Sequence, residues 1–283
     1  MQITPLSDVL GAEVTGIDLA GIDDATFATV REAFLKHHVL VFRDQDLSPE
    51  QQVAFSGRFG TLDIHVQTKD QIPGLPYVQV FSTRMVDGKY VGSPAAGDFW
   101  HSDLSYTPTP TLCTFLHARA LPQEGGDTEW SNMHRAWGTL PEETRQRIAP
   151  LRARHTYNRL RNPRVTVHEA HRDEAKARYA DISPDDAIHP VVRTHPETGR
   201  QALYVSPRFT IGIEDMDEAE GQALLDELFA HAVRREFIYR HKWRLGDLTM
   251  WDNRCLIHLA CGGVPKGQVR HMHRTIVRGD APY

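Results

Sequence analysis

In the stretch FWHSDLSY, residues 99–106, a histidine and an aspartate stand two positions apart. On an extended backbone residues i and i+2 project from one face, so His101 and Asp103 can reach a common point while Ser102 looks away. An imidazole and a carboxylate meeting there suit a metal ion. The pair alone carries little, because 16 His and 22 Asp in 283 residues give about one His-x-Asp by composition. A second pair, His171–Arg172–Asp173, sits in the charged run VHEAHRDEAKARYAD and reads as a solvated segment.

A third donor gives the first pair its meaning. His258, in GDLTMWDNRCLIH, follows a strand-like segment and a tight Asp252–Asn253 turn, a context that holds an imidazole rigidly. Two His and one carboxylate leave coordination positions open, as non-haem Fe(II) oxygenases require. Zinc competes, since the same donors serve in hydrolases. In VRHMHRTIVRG an extended backbone places Arg270, Met272 and Arg274 on one face and His271, His273 and Thr275 on the other. The two arginines start roughly 13 Å apart at ~3.3 Å per residue, far enough to serve two anions. A planar guanidinium grips a carboxylate bidentately and keeps its charge when partly buried. A salt-bridged outer strand is the plain alternative.

The elements that must position these groups read as follows. DDATFATVREAFLKHH spaces Phe27, Val30, Phe34 and Leu35 for an amphipathic helix over 24–37. HVLVFRD then reads as a buried strand. SPEQQVAFSGRFG reads as a helix with Ser48 as cap, Pro49 in the first turn and Gln51 completing a capping box. Beyond residue 75, short Val-, Tyr-, Phe- and Trp-rich segments alternate with Gly, Pro, Asn and Asp, the pattern of a β-sandwich or barrel. One more helix is expected over 217–233. Two polar stretches, about 66–98 and 158–188, are long enough to be lids. Trp100, Trp130 and Trp251 flank the motifs and read first as core. Tyr106 and Phe209 are balanced between core and substrate contact.

Composition narrows the class. Hydrophobic residues make up 40% and charged residues 24%, values of a globular chain with a substantial core. No apolar run approaches ~18 residues, and the N-terminal stretch lacks a signal-peptide pattern, so no membrane span and a cytoplasmic location are expected. A net charge of −5 gives no reason to expect nucleic acid. Cys113, Cys255 and Cys261 show no C-x-x-C and read as small buried side chains.

FWHSDLSYTPTP, GGDTEW, WDNRCLIH and RHMHRTIVRGD, in that order, resemble the taurine dioxygenase and 2,4-dichlorophenoxyacetate dioxygenase family of Fe(II)/2-oxoglutarate-dependent enzymes. ITPL…GAEVTGIDL, HHVLVFRDQDLSPEQQVAFSGRFGTLDIH and HPVVRTHPETGRQALYVSPRFTIGI extend the similarity almost end to end. The resemblance implies a mainly β fold with bracing helices, the double-stranded β-helix or jelly roll, as one domain over 1–283. It makes His101, Asp103 and His258 the Fe(II) ligands. Thr128 and Arg270 would hold the distal carboxylate of 2-oxoglutarate, with O2 as the other co-substrate and succinate and CO2 as products. Arg274 and His65 would meet the acidic group of a small anionic substrate (a sulfonate, sulfate ester or carboxylate), with Phe209 beside its organic part. C–S or C–O cleavage would follow hydroxylation where the oxidised carbon bears sulfur or oxygen. A homo-oligomer is the expected assembly.

The chain departs from the taurine enzyme's pattern in three places. Thr68 stands where that enzyme has a tyrosine, Gly97 where it has an asparagine, and Leu160–Arg161 where it has Ser-Phe. The organic part of the substrate should therefore differ from taurine. An amino-acid-like or natural-product substrate is the alternative. A halogenase would lack the carboxylate that Asp103 provides. A noncatalytic jelly-roll binding protein would need no Arg270–Thr128 pair, and a zinc hydrolase would be indifferent to 2-oxoglutarate and oxygen.

Overall fold

Local signals set the first third of the molecule. The computed structural model describes residues 1–65, 68–94, 97–164 and 186–283, with only the backbone of Arg159. After β1 (Gln2–Pro5) and β2 (Ala12–Thr15), Asp23 caps α1 (Asp24–His37) by accepting from the Thr26 N–H. The helix ends at His38, which turns left-handed at φ 62°. β3 (Val39–Phe42) follows, and α2 (Pro49–Gly57) carries both halves of the Ser48/Gln51 capping box.

Next come β4 (Gln71–Ile72), β5 (Leu75–Ser82), β6 (Met85–Val86), β7 (Lys89–Tyr90), β8 (Thr111–Ala120) and β9 (Thr128–Asn132). α3 (Met133–Gly138) and α4 (Glu142–Ile148) lead to β10 (Arg152–His155), β11 (Ala187–Pro190), β12 (Val192–Thr194), β13 (Gln201–Leu203) and β14 (Thr210–Ile213). α5 (Glu218–Ala232), capped by Asp217, precedes β15 (Ile238–His241), β16 (Leu248–Asp252), β17 (Leu256–Ala260) and β18 (His271–Arg278).

The main sheet has the order β1-β2-β3-β16-β8-β18-β5-β4 and is antiparallel except between β2 and β3. Smaller sheets of order β15-β9-β17 and β11-β10-β14, with the β12-β13 pair, supply the other strands around the core. All four residues of β3 are buried because both faces of the main sheet are covered. Leu40 and Phe42 face α1 and α2, joining Val30, Phe34, Phe55 and Phe115. Val39 and Val41 face the opposite core with Trp130, Trp251, Leu256 and Met272. Trp130 and Trp251 are core residues, as expected, and Trp100 packs against them partly exposed. Cys113 and Cys255 are buried, Cys261 only partly, and all three thiols are free.

Four described strands lie within the stretch 66–98 that was expected to be a lid. β5 is a full member of the main sheet beside β18, β4 extends it, and β6 and β7 form a hairpin. Of the stretch 158–188, residues 165–185 lie outside the described residues, as does the His171–Asp173 pair. Residues 159–161 form one 3-10 turn, and β11 begins at Ala187. No described helix is long and apolar enough to cross a membrane.

Candidate active site

The ends of β8, β9, β16, β17 and β18 bring the predicted residues together. His258 sits at the middle of β17, and His101 forms a single antiparallel bridge with it. The His101 N–H donates to the His258 carbonyl at 3.0 Å and the His258 N–H returns the bond at 2.8 Å. Residues directly opposite in such a pair share a face, so the two imidazoles lie 4.1 Å apart between ring centroids. Asp103 does not continue an extended strand, as its spacing had suggested. Leu104 after it adopts φ 54°, a conformation rare for a bulky side chain, and the Ser105 N–H donates to the Ser102 carbonyl. This turn carries Asp103 Oδ1 to 3.6 Å from His101 Nε2, and Oδ2 to 3.9 Å from His258 Nε2. One ligand atom from each of the three buried residues lies within 4.8 Å of the others.

The three side chains are oriented from behind. His101 Nδ1 lies 2.7 Å from the Phe99 carbonyl and must carry a proton there, which fixes the ring with Nε2 turned towards Asp103. Thr114 Oγ1, on β8, donates to Asp103 Oδ2 at 2.6 Å, and Asn253 Nδ2 donates to Thr114 Oγ1 at 2.9 Å. Asn253 Oδ1 in turn accepts from the Asp103 N–H at 3.1 Å. Asn253 read only as a turn residue in the sequence, and Thr114 carried no signal there.

Electrostatics suit a cation. Burial alone would raise the Asp103 carboxyl, but Arg274, His258 and His101 outweigh it and hold it well below the ordinary carboxylate range. Burial, with His101 and Arg274 nearby, pushes the His258 imidazole well below its ordinary value. The set therefore presents an ionised carboxylate and a neutral imidazole, the forms a divalent metal binds. Arg274 turns inward as the strand alternation predicts, and Nη1 donates to Asp103 Oδ1 at 3.2 Å while Nη2 donates to Gln79 Oε1 at 2.6 Å. Gln79 was not singled out by the sequence.

A second charged wall lies alongside. Arg270, just before β18, donates from Nε to the Gly126 carbonyl at 3.1 Å, and its guanidinium carbon lies 5.8 Å from the centroid of Trp243. Trp243 Nε1 donates to Thr128 Oγ1 at 3.2 Å, so one indole adjoins both residues expected to share an anion. Burial lowers the Arg270 pKa to about 10, which leaves it a cation at neutral pH. No described carboxylate forms an ion pair with Arg270.

Phe209 joins the site, with its ring 5.7 Å from that of His101 and 4.9 Å from that of Tyr106. Leu160 packs on the same group, whereas Arg161 turns away to Asp186 at 2.7 Å. Gly97 has φ 78°, and a Cβ there would stand 3.2 Å from His101 Cε1. Glycine thus suits both the left-handed backbone and the close approach to His101. His65 is half-buried, two residues beyond Asp63, whose N–H donates to the Ile276 carbonyl; Thr68 is exposed.

Two further groups could superficially hold a metal, His38–His134–Cys255 and His195–Asp252–Cys255. Arg200 Nη1, a donor only, lies 3.2 Å from His38 Nε2 and takes that lone pair. Asp252 is bound by Arg254 at 2.8 Å and by His195 at 3.0 Å. The His195–Asp252 group is thus a core polar network whose acceptors are engaged, whereas in the first group the His134 Nε2 lone pair is buried with no hydrogen-bond partner.

Residues 2–276 match the model of the family described as taurine catabolism dioxygenase TauD, TfdA family. The (S)-phenoxypropionate/alpha-ketoglutarate-dioxygenase of Delftia acidovorans is 34% identical over 270 residues, covering 92% of this chain and 89% of that protein. The alpha-ketoglutarate-dependent 2,4-dichlorophenoxyacetate dioxygenase of Cupriavidus pinatubonensis is 36% identical over 265 residues, 90% of each chain. The crystal structure of a taurine dioxygenase from Burkholderia xenovorans superposes with a TM-score of 0.82 at 34% identity, covering 99% of this chain and 92% of that one. AAD-2 in complex with Mn(II) and N-oxalylglycine gives a TM-score of 0.79 at 31% identity, covering 99% and 98%.

Proposed function

The chain belongs to the TauD/TfdA family, and from that premise we propose that His101, Asp103 and His258 hold one Fe(II) beside an anion-binding Arg274. It is an Fe(II)- and 2-oxoglutarate-dependent dioxygenase. The observation that carries the site assignment is the convergence of three buried ligand atoms within 4.8 Å, with a guanidinium on the carboxylate. Two imidazoles and a carboxylate fit Fe(II) and leave positions free for co-substrates. When bound, the iron with 2-oxoglutarate and O2 supplies oxidation of a C–H bond, releasing succinate and CO2.

The protein's own residues bind, orient and exclude water. Arg270 and Thr128 take the distal carboxylate of 2-oxoglutarate, which fits an Arg270 cation with no ion-pair partner among the described residues. Arg274, with His65, takes the carboxylate, sulfonate or sulfate of a small substrate. Phe209 and Leu160 face its organic part, and Gly97 leaves room beside His101. We read the two-sided sheet packing as one double-stranded β-helix domain over residues 1–283.

The test is anaerobic titration of the protein with Fe(II) and then 2-oxoglutarate, followed by O2 and an anionic panel. A visible band that needs both iron and 2-oxoglutarate is expected, together with succinate formation that an acid accelerates. His258→Ala should lose the band and remain folded. A band of full intensity in His258→Ala would overturn the ligand assignment.

A further inference from the structure

We propose that Gln79 is a specificity-determining residue: its side-chain amide aims the Arg274 guanidinium and offers its own N–H groups to the same substrate oxyanion. This rests on the reading of Arg274 as the anion-binding group. Gln79 on β5 stands directly across from Arg274 on β18 in the antiparallel register, so their side chains share a face. Both are buried, 4% and 8% exposed, which fixes their rotamers by packing.

A guanidinium only donates, so the amide atom 2.6 Å from Arg274 Nη2 must be Oε1. Nε2 is therefore turned outward from the pair. Among the described residues it has no hydrogen-bond partner, and it is not one of the sealed, unpaired atoms of the interior, which leaves its N–H groups free to donate to a ligand. Phe81, two residues along β5 on the same face, lies under the cation at 4.9 Å from its centroid. The guanidinium is thus held at one edge by Gln79, on one face by Phe81 and at Nη1 by Asp103.

The neutrality of the amide matters. A carboxylate at position 79 would add a second negative charge to a guanidinium already paired with Asp103 at 3.2 Å and so repel a ligand anion. An amide fixes the same geometry while sparing the charge. The adjacent Arg and amide donors each suit one oxygen, so the site favours a carboxylate, sulfonate or sulfate ester over a monatomic anion or a neutral group.

The test uses oxygen-free protein loaded with Mn(II) and N-oxalylglycine, which does not turn over. Calorimetric titration with phenoxyacetate, taurine and phenyl sulfate, and with neutral 2-phenoxyethanol, gives the acid-to-neutral preference. Gln79→Glu, of the same shape, and Gln79→Met, without a donor, should each weaken the acid that binds best by about 10- to 100-fold. Affinity for N-oxalylglycine and for 2-phenoxyethanol should hold, which a folding defect would not allow. Acid affinity equal to wild type in both variants overturns the role of Gln79. If wild type itself shows no acid preference, the reading of Arg274 falls and the proposal with it. If the preference vanishes in Arg274→Ala but survives in both Gln79 variants, only the inference about Gln79 falls.

Discussion

Asp103 is the residue on which the demands of the site converge. It must be ionised, aimed at the two imidazoles, and kept from collapsing fully onto Arg274. The Thr114 hydroxyl does the aiming, through a 2.6 Å bond to Oδ2 that Asn253 polarises from behind. Partners of this kind typically change metal affinity by about 10- to 100-fold when removed. Thr114→Val keeps the shape and deletes the donor, so Mn(II) affinity measured by calorimetry should fall by about that factor. Unaltered affinity would show that the turn at Leu104 alone orients the carboxylate. Arg270→Lys probes the other wall: it keeps the charge but loses the planar fork, so the 2-oxoglutarate concentration for half-saturation should rise far more than that for the substrate. An unchanged 2-oxoglutarate requirement would mean the distal carboxylate lies elsewhere.

At the scale of elements, the loop between β8 and β9 is as much part of the site as the strands. Gly126 has φ 76°, and a Cβ there would meet Arg270 Cδ at 2.8 Å. The absent side chain is what lets Arg270 reach the Gly126 carbonyl. Gly126→Ala should therefore displace Arg270 and weaken N-oxalylglycine, with Mn(II) binding to the three ligands retained; loss of neither would place Arg270 outside the co-substrate site. The same contrast shows what the sequence made legible. The box of α2 depends on residues within one helical turn and the span of α1 on its apolar spacing, and both were readable. That His101, Asp103 and His258 belong together was readable from the ordered motifs that carry them, and the structure does bring the three side chains together. The turn at Leu104 was not, since its positive φ is imposed by tertiary packing rather than by a turn residue. Gln79 and Thr114 act only through cross-strand register, which no local spacing encodes. The stretch 66–98 looked like a lid because polar residues, Gly and Pro together outnumber apolar ones there, yet β5 buries Val78 and Val80 and pairs with β18.

For the whole molecule, histidine burial sets the response to acid. His38, His134, His189 and His273 are between 2% and 9% exposed, and burial lowers their pKa values to about 3, 4, 4 and 4. In the unfolded chain each would titrate near ~6.5. Between those values the unfolded state binds protons that the folded state excludes, so stability rises with pH across this window. The contribution is complete above about pH 6.5 and is lost as pH falls towards about 4. Asp103 and Asp252 act lower. Although burial opposes ionisation, Arg274 and Arg254 hold these carboxyls well below the ordinary range, so their share is lost only below the unfolded carboxylate value of ~3.9. The melting temperature of metal-free protein should therefore fall steeply from about pH 6.5 to about pH 5, where the carboxylates are still ionised. His273→Gln, away from His101, Asp103 and His258, should flatten that fall, the slope of unfolding free energy against pH dropping by up to about 1.4 kcal/mol per pH unit. A melting temperature that stays level until about pH 4 would show instead that these histidines keep their protons on folding, with acid sensitivity arising from the carboxylates alone.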